Sequence, residues 1–186
     1  ASHPVPDERG IQGAEDILSV VNTAGENDLV LCVISGGGSA LLVAPAEGVT
    51  LEDKQEVTRH LLACGADIHE INTVRKHLSR AKGGGLARFA HPATVVSLIL
   101  SDVIGDDLNV IASGPAVPDT TTFADAETVF RKYQIWDQIP RSVQQRIKQG
   151  VQGAIEDTPK ADDVAFERCF FEWVGTNIQA LMAAPQ

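Results

Sequence analysis

Apolar residues occur along the chain either in short continuous runs or at helical spacing. The run Leu29–Ile34 predicts a strand, and the β-branched, nearly continuous apolar run at residues 94–101 predicts a buried parallel strand. Apolar residues at helical spacing between Ile11 and Val21 predict an amphipathic helix before the first strand. Because helices and strands alternate, we predict a single α/β domain over residues 1–186 with a mostly parallel sheet.

Polar residues mark where other predicted elements begin. Thr50, Asp67 and Thr122 each stand three positions before an acidic residue, a capping-box pattern that predicts three helix starts. Pro140 predicts a further helix start, and the mixed aromatic and charged segment at residues 166–174 predicts an edge strand. Together these elements fit a three-layer α/β/α, Rossmann-like architecture.

The composition excludes several classes of protein. With 44% hydrophobic and 22% charged residues, and with no apolar run approaching about 18 residues, the sequence is typical of a globular protein and predicts no membrane insertion. A net charge of −10 argues against nucleic acid as a partner. Cys32, Cys64 and Cys169 lie far apart in apolar surroundings, so we expect reduced core thiols and a cytoplasmic protein. The sequence leaves open whether the chain forms a homodimer.

A glycine-rich stretch directly follows the first predicted strand. It consists of Ser35, Gly36, Gly37, Gly38 and Ser39. Glycines let the backbone bend sharply and leave successive amide N–H groups free to point at one oxyanion, so this stretch is a candidate ligand loop. Three glycines after a strand are also common in tight turns, and the stretch alone favours neither interpretation.

The helix predicted from about residue 68 has one apolar and one cationic face. One stripe, which we expect to pack on the sheet, consists of Ile68, Ile71, Val74 and Leu78. Residues 71–101 contain five Lys or Arg and no Asp or Glu. The candidate residues on the cationic face and in the glycine run after it are Asn72, Arg75, Lys76, Lys82 and Gly83. Such segregation suggests an anionic ligand, although a solvated basic helix face is the simpler alternative.

Acidic residues follow the second predicted strand. In an open α/β sheet, ligands bind beyond the carboxyl ends of the strands, where a carboxylate can hold Mg²⁺ against phosphate oxygens. Asp102 is the first candidate for that role, and Asp106 and Asp107 are either further candidates or turn residues. Ser113 and Gly114 follow in the same polar loop and are candidates for ligand contact.

The succession of motifs resembles a known family along nearly the whole chain. The motifs are HPVPD, SGGGSALL, GADIHEINTVRKHLSRAKGGGLA, LILSDVIGDDLNVIASGP, PDTTT and VGTN. They look like the larger, N-terminal-side domain of the glycerate 2-kinases of the MOFRL-associated type, also called class II glycerate kinases. Many homologues of this type carry the label hydroxypyruvate reductase.

The resemblance implies ATP-dependent phosphorylation of D-glycerate to 2-phosphoglycerate, with Mg²⁺ bridging the nucleotide phosphates. The glycine loop would cradle phosphate, while Asn72, Arg75 and Lys82 would orient the glycerate carboxylate or the phosphates. Asp102 and Asp106 would bind metal or orient the attacking hydroxyl. Arg75, Lys82 and Asp102 are the catalytic candidates.

Two parts of the family pattern are absent from this sequence. One is an upstream segment with a lysine expected to matter for catalysis, and the other is a glycine-rich C-terminal domain with an Arg-Asn-Gln motif. We therefore expect the chain to carry one wall of an active site, and to bind ligand without turnover on its own.

Two other functions stay open. The first is an NAD(P)-dependent hydroxypyruvate reductase, which ranks lower because a Gly-x-Gly-x-x-Gly fingerprint would need glycine where Leu41 or Val43 stands. The second is a non-catalytic module that binds a phosphosugar or phosphate.

Overall fold

The computed structural model describes residues 6–101, 103, 105–176 and 182. Within that part of the chain, the helices are α1 Glu8–Val21, α2 Gly38–Leu41, α3 Leu51–Ala63, α4 Ile68–His77, α5 Gly85–Ala90, α6 Phe123–Lys132 and α7 Arg141–Val151. The strands are β1 Leu29–Ile34, β2 Thr94–Leu100 and β3 Cys169–Gly175. The predicted α/β class is confirmed.

The three strands form a parallel sheet in the order β1-β2-β3. Val95 in the central strand pairs with Val30 in β1 and with Cys169 in β3. Because all three strands run the same way, the loops that follow β1 and β2 leave from the same edge of the sheet. The glycine loop and the polar loop after β2 therefore lie side by side.

Helices cover one face of this sheet within the described part of the chain. Val21 of α1 and Ala87 of α5 pack with Val95 in one apolar cluster. On the opposite face, Leu31 and Phe170 lie in one cross-strand row with Val96, and both are more than half exposed. One face is thus packed and the other presents apolar side chains.

A second core lies among helices α3, α4, α6 and α7. Ile71, Val74 and Leu78 pack there with Phe130 and Val143, which come from α6 and α7. The expectation that this stripe packs on the sheet is therefore wrong. Ile71, Val74 and Leu78 are buried as their spacing predicts, but their partners are other helices, and Ile68 at the start of the stripe is 46% exposed.

Local polar interactions start the helices where the sequence predicts. Capping boxes are present at Thr50, Asp67 and Thr122. In each, the side chain of the capping residue accepts from the backbone N–H three residues later, and the side chain of that later residue accepts from the backbone N–H of the capping residue. Pro140 is the N-cap of α7. These bonds satisfy amide groups at the helix starts that have no partner within the helix.

A matched pair of helical glycines tests the packing of α7. A Cβ at Gly150 would overlap the buried ring of Phe123, whereas a Cβ at Gly13 of α1 meets nothing within 4 Å. We expect Gly150→Ala to lower the free energy of unfolding by roughly 1–3 kcal/mol through overpacking. Gly13→Ala should raise it by about 0.5–1 kcal/mol, because alanine favours a helix over glycine. Urea denaturation measures both, and equal effects would contradict the packing of α7 on Phe123.

Candidate anion-binding site

The glycine loop joins the carboxyl end of β1 to the single turn α2. Gly37 has φ +80°, a left-handed conformation that glycine adopts without strain. A Cβ at Gly38 would lie 3.1 Å from the Cβ of Ala112, so the loop closely approaches the chain that follows β2. The backbone amides of Gly36 and Gly37 have no acceptor among the described residues. Two adjacent free N–H groups at this edge can bind one oxyanion.

A buried lysine joins the glycine loop to the polar loop after β2. Lys82 is 3% exposed, and its Nζ donates to the Ser39 carbonyl at 2.9 Å, to Ser39 Oγ at 3.2 Å and to the Ala112 carbonyl at 3.4 Å. Burial holds the pKa of Lys82 well below its usual value, and the positive charges of Lys54 and Arg75 lower this pKa further. The acceptors of this ammonium group are thus uncharged oxygen atoms, and no carboxylate of the described chain accepts from it.

A chain of hydrogen bonds extends from Lys82 into helix α4. Ser39 Oγ lies 2.7 Å from Ser113 Oγ, and the Ser113 hydroxyl donates to Asn72 Oδ1 at 3.0 Å. Asn72 is 3% exposed, and its Nδ2 has no hydrogen-bond partner in the described structure. A buried amide donor left unpaired is costly. It is an unused buried donor, joined to Ser39 of the glycine loop through Ser113.

The turn that carries Ser113 has a strained backbone. Ala112, Ser113 and Gly114 are all left-handed, with φ of 51°, 61° and 61°. Non-glycine residues in this region cost about 1–3 kcal/mol each. The amides of Gly83 and Gly84 donate to the carbonyls of Ser113 and Gly114 at 3.0 and 2.8 Å, which holds the turn in this conformation.

An open cleft of about 540 Å³ lies in front of the glycine loop. The predicted site residues that line it are Ser35, Gly36, Gly37, Ser39 and Arg75. The Arg75 guanidinium makes no hydrogen bond or ion pair with any described residue, and burial lowers its pKa. A guanidinium without a carboxylate partner can bind a carboxylate or a phosphate through two parallel hydrogen bonds.

Asp107 is the one acidic residue, among those the structure describes, that lines the cleft. Its Oδ1 accepts from the amide of Asn109 at 2.9 Å, and its Oδ2 lies 3.9 Å from Nδ1 of His69, which also lines the cleft. Asp106 has a left-handed backbone, φ 53°, and is not among the residues that line the cleft. Asp102 lies outside the described residues, so its role stays a prediction.

Other predicted site residues stand behind the cleft. Lys76 is 3% exposed, and its Nζ lies 3.1 Å from Oδ1 of Asp119 and 3.2 Å from Oδ1 of Asn109. Burial raises the pKa of Asp119, but the charge of Lys76 and hydrogen bonds from Thr121 outweigh this effect and lower the pKa. A Cβ at Gly83 would lie 3.1 Å from both Asp119 Oδ2 and Lys76 Cβ. Lys76 and Gly83 are thus engaged with the protein's own groups.

Lys54 is a site residue that sequence reasoning missed. It is 8% exposed on α3, and its Nζ donates to the Leu78 carbonyl at 2.7 Å. No acidic side chain of the described chain pairs with it. Burial lowers the pKa of Lys54 to about 7, with contributions from the charges of Arg75 and Arg146. Its place in a polar helix start resembles that of any surface lysine, so no sequence signal marks it.

The cysteines lie away from the cleft. Cys32 and Cys169 belong to the sheet core, and Cys64 packs against the helical core. Burial raises the pKa of the Cys32 thiol. Burial also raises the pKa of Cys169, to about 11, and the charge of Cys32 contributes to this second shift. Thiols in this state are poor nucleophiles, as we expect of core residues.

Two buried lysines provide a test of the site's electrostatics. Lys76→Met leaves Asp119 buried without its cation, and we expect the free energy of unfolding at pH 7 to fall by about 3–5 kcal/mol. Lys54→Met removes a buried charge that has no carboxylate partner in the described chain. We expect the free energy of unfolding at pH 7 to rise by roughly 2 kcal/mol despite the lost hydrogen bond to the Leu78 carbonyl.

The gain from Lys54→Met depends on pH in a defined direction. The charged form of Lys54 is disfavoured in the folded state, so its penalty is complete below about pH 7. It fades as pH rises toward the unfolded-state pKa of about 10.4. Urea denaturation between pH 6 and 10 measures this trend, and a gain that is constant with pH would contradict an uncompensated charge at Lys54.

Comparison with known proteins identifies the family. Residues 1–148 match a family described as a domain of unknown function, DUF4147. A glycerate 2-kinase of Pyrococcus horikoshii is 53% identical over 162 residues, which are 87% of this chain and 37% of that protein. A D-glycerate 2-kinase of Thermotoga maritima is 50% identical over 86% of this chain and 36% of its own length. A protein of Agrobacterium vitis named as a hydroxypyruvate reductase is 54% identical over 90% of this chain and 36% of its own length.

Solved structures agree with these sequence matches. A crystal structure of a Pyrococcus horikoshii OT3 protein superposes with a TM-score of 0.91 at 48% identity, covering 98% of this chain and 41% of that one. The glycerate kinase of Thermotoga maritima superposes with a TM-score of 0.84 at 48% identity, over 94% of this chain and 39% of that one. The chain spans about 37% of the length of the first of these curated relatives. It belongs to the DUF4147 family, together with proteins named glycerate 2-kinase.

Proposed function

We propose that this chain forms one wall of the active site of an ATP-dependent glycerate 2-kinase. The observation that carries the proposal is the meeting, in one cleft, of two free backbone amides at Gly36 and Gly37 with the unpaired guanidinium of Arg75. Relatives about 50% identical are named glycerate 2-kinase. Both proposed substrates, D-glycerate and ATP, carry the anionic groups that such a cleft would bind.

The chemistry of phosphoryl transfer suits this arrangement. The 2-hydroxyl oxygen of D-glycerate attacks the γ-phosphorus of ATP, the bond from phosphorus to the bridging oxygen breaks, and ADP leaves with that electron pair. Proteins accelerate this reaction mainly by positioning the groups and neutralising charge. The amides of Gly36 and Gly37 would hold phosphate oxygens, and Arg75 would bind the glycerate carboxylate or the transferred group.

Asp107 is the described carboxylate suited to the hydroxyl proton. It lines the same cleft as the glycine loop and lies beside His69. We assign to it the role of accepting the proton that the attacking hydroxyl loses. In this scheme Lys82 does not touch substrate; its ammonium group holds Ser39 and the turn at Ala112 in place.

Magnesium is a further part of the proposal. The described residues contain no group of three metal-binding side chains, but Mg²⁺ in phosphoryl-transfer sites is held by one or two carboxylates together with substrate phosphates. Asp102, as a prediction, would supply such a carboxylate, since Asp107 is assigned to the hydroxyl proton. When bound, Mg²⁺ would neutralise charge on the nucleotide phosphates.

The location of the protein is a minor part of the proposal. Cys32, Cys64 and Cys169 are all free thiols, which fits a cytoplasmic enzyme. Among the described residues, no helix combines the length and the apolar character that crossing a membrane requires.

A second candidate is the reductase named for the Agrobacterium vitis relative. Neither Leu41 nor Val43 supplies the third glycine of a dinucleotide fingerprint, which favours the kinase. The two functions differ in what they consume, since a reductase oxidises NADH with hydroxypyruvate and a kinase requires ATP.

The decisive experiment gives the full-length gene product ATP, Mg²⁺ and D-glycerate and adds enolase. Enolase accepts 2-phosphoglycerate, so we expect phosphoenolpyruvate to form without phosphoglycerate mutase. A requirement for the mutase would place the transfer on the 3-hydroxyl. NADH oxidation with hydroxypyruvate, without ATP turnover, would overturn the kinase proposal.

Arg75 offers a test that the chain itself can answer. We expect Arg75→Gln to weaken the binding of Mg-ATP or D-glycerate by about tenfold to a hundredfold, the loss of one charge-assisted pair. Arg59→Gln, on the exposed side of α3, removes the same charge away from the cleft and should change binding less than twofold. Calorimetric titration of both ligands measures these effects, and equal losses for the two variants would remove Arg75 from the site.

A further inference from the structure

A small cavity lies directly behind the glycine loop. Its volume is about 30 Å³, and its polar lining is formed mainly by Lys54, Arg75, Lys82 and Ser39. Arg75 and Ser39 line both this cavity and the open cleft, so the two spaces share a wall. The remaining lining is largely apolar, and none of the described residues that line the cavity is acidic.

Two buried lysines and the half-buried Arg75 therefore share this cavity, and no acidic side chain of the described chain lines it. Arg146 from α7 adds a fourth positive charge near Lys54, and Glu47 faces Arg146. Among the described residues that line the cleft side of this wall, the other ionisable groups are His69 and Asp107. Grouped cations of this kind destabilise one another unless one loses its proton or an anion joins them.

The hydrogen bonds indicate which of the two lysines holds its proton less firmly. Lys82 directs its Nζ toward three oxygens, two of them carbonyls that can only accept, so the charged form uses all three of its N–H donors. Lys54 has one acceptor, the carbonyl of Leu78. Burial lowers the pKa of both lysines, that of Lys54 to about 7. Because three oxygens stabilise the charged form of Lys82 and one described oxygen stabilises that of Lys54, the charge of Lys54 is the less supported.

We propose that Lys54 takes up a proton when an anion occupies the cleft beside the glycine loop, so that anion binding and the charge of Lys54 are coupled. An anion on Arg75 cancels the positive charge that repels Lys54 across their shared cavity. Lys54 then acts as a positioning residue: it does not touch the ligand, and its charge completes the positive wall when the ligand is present. The inference rests on the proposed function, because it takes this cleft to be the site of anionic substrates.

The coupling has a definite sign. Above about pH 7 the free protein holds Lys54 mostly neutral, and the bound protein holds it charged, so binding consumes a proton. Affinity should therefore increase as pH falls from 9 toward 7, by at most about tenfold per pH unit. Below that range both states are protonated at Lys54 and the dependence disappears.

Sulfate is the suitable probe because it has the shape and charge of a phosphoryl group and does not titrate in this range. We would titrate the chain with sulfate at pH 8 in two buffers of different ionisation enthalpy, which gives the number of protons exchanged. We expect uptake of a substantial fraction of one proton at pH 8 and almost none at pH 6. The measurement is made in the His69→Gln background, so that a histidine lining the cleft contributes nothing.

Lys54→Met and Lys54→Gln are the matched variants, and a thermal melt establishes that each folds. The second keeps a donor for the Leu78 carbonyl. Both should bind sulfate with no proton uptake and with an affinity that is flat between pH 7 and 9. Uptake that persists in both variants would assign the proton to another group, such as Lys82, and overturn the inference. Binding to the unmodified Lys54 protein without uptake would overturn it while leaving the proposed function intact. Failure to bind sulfate, ATP and D-glycerate alike would overturn both.

Discussion

The site depends on one buried ammonium group bonded to backbone and hydroxyl oxygens. Lys82 joins Ser39, which follows β1, to Ala112, which follows β2. Burying a cation is unfavourable unless polar atoms replace water around it. Two carbonyls and a hydroxyl do so for Lys82, and these oxygens belong to the two loops that form the cleft. The charged form of Lys82 is therefore stabilised only when both loops are in place, so the buried ammonium group and the geometry of the cleft support one another.

Hydrogen bonds between the two loops and the second glycine run also explain how a strained turn persists. Ala112 and Ser113 both have left-handed backbone conformations. The unfavourable dihedrals are offset by hydrogen bonds from Gly83, Gly84 and Lys82 to three successive carbonyls of this turn. The second glycine run thus serves the site indirectly, since its amides are used by the protein and its lack of side chains allows the close approach. Two glycine runs of similar composition have different roles: the first leaves amides free, and the second uses them.

Most of the fold could be predicted from local patterns, and the departures share a physical cause. The capping boxes are short-range signals, because the groups that interact are neighbours in sequence. Helical periodicity specifies which face of α4 is apolar, but it contains no information on what covers that face. Arg75 is visible as charge segregation beside a glycine motif, and the structure brings both to one cleft. Lys76 lies on the same predicted face but pairs with Asp119, which is 43 residues away in sequence. The sequence thus proposes Lys76 as a site residue although it is used for structure. Conversely, the sequence does not propose Lys54, since nothing local indicates that it will be buried against Leu78, 24 residues away.

These buried lysines also differ in whether a carboxylate stabilises their charge. Lys76 has a carboxylate beside it, as a charge retained for structure requires. Lys54, Arg75 and Lys82 have no carboxylate beside them in the described chain, so their mutual repulsion is carried by the folded protein itself. A wall of this kind is preorganised for negative charge, because no protein anion must be displaced before a ligand binds. The missing acid is therefore the feature that best distinguishes a binding wall from an ordinary buried ion pair.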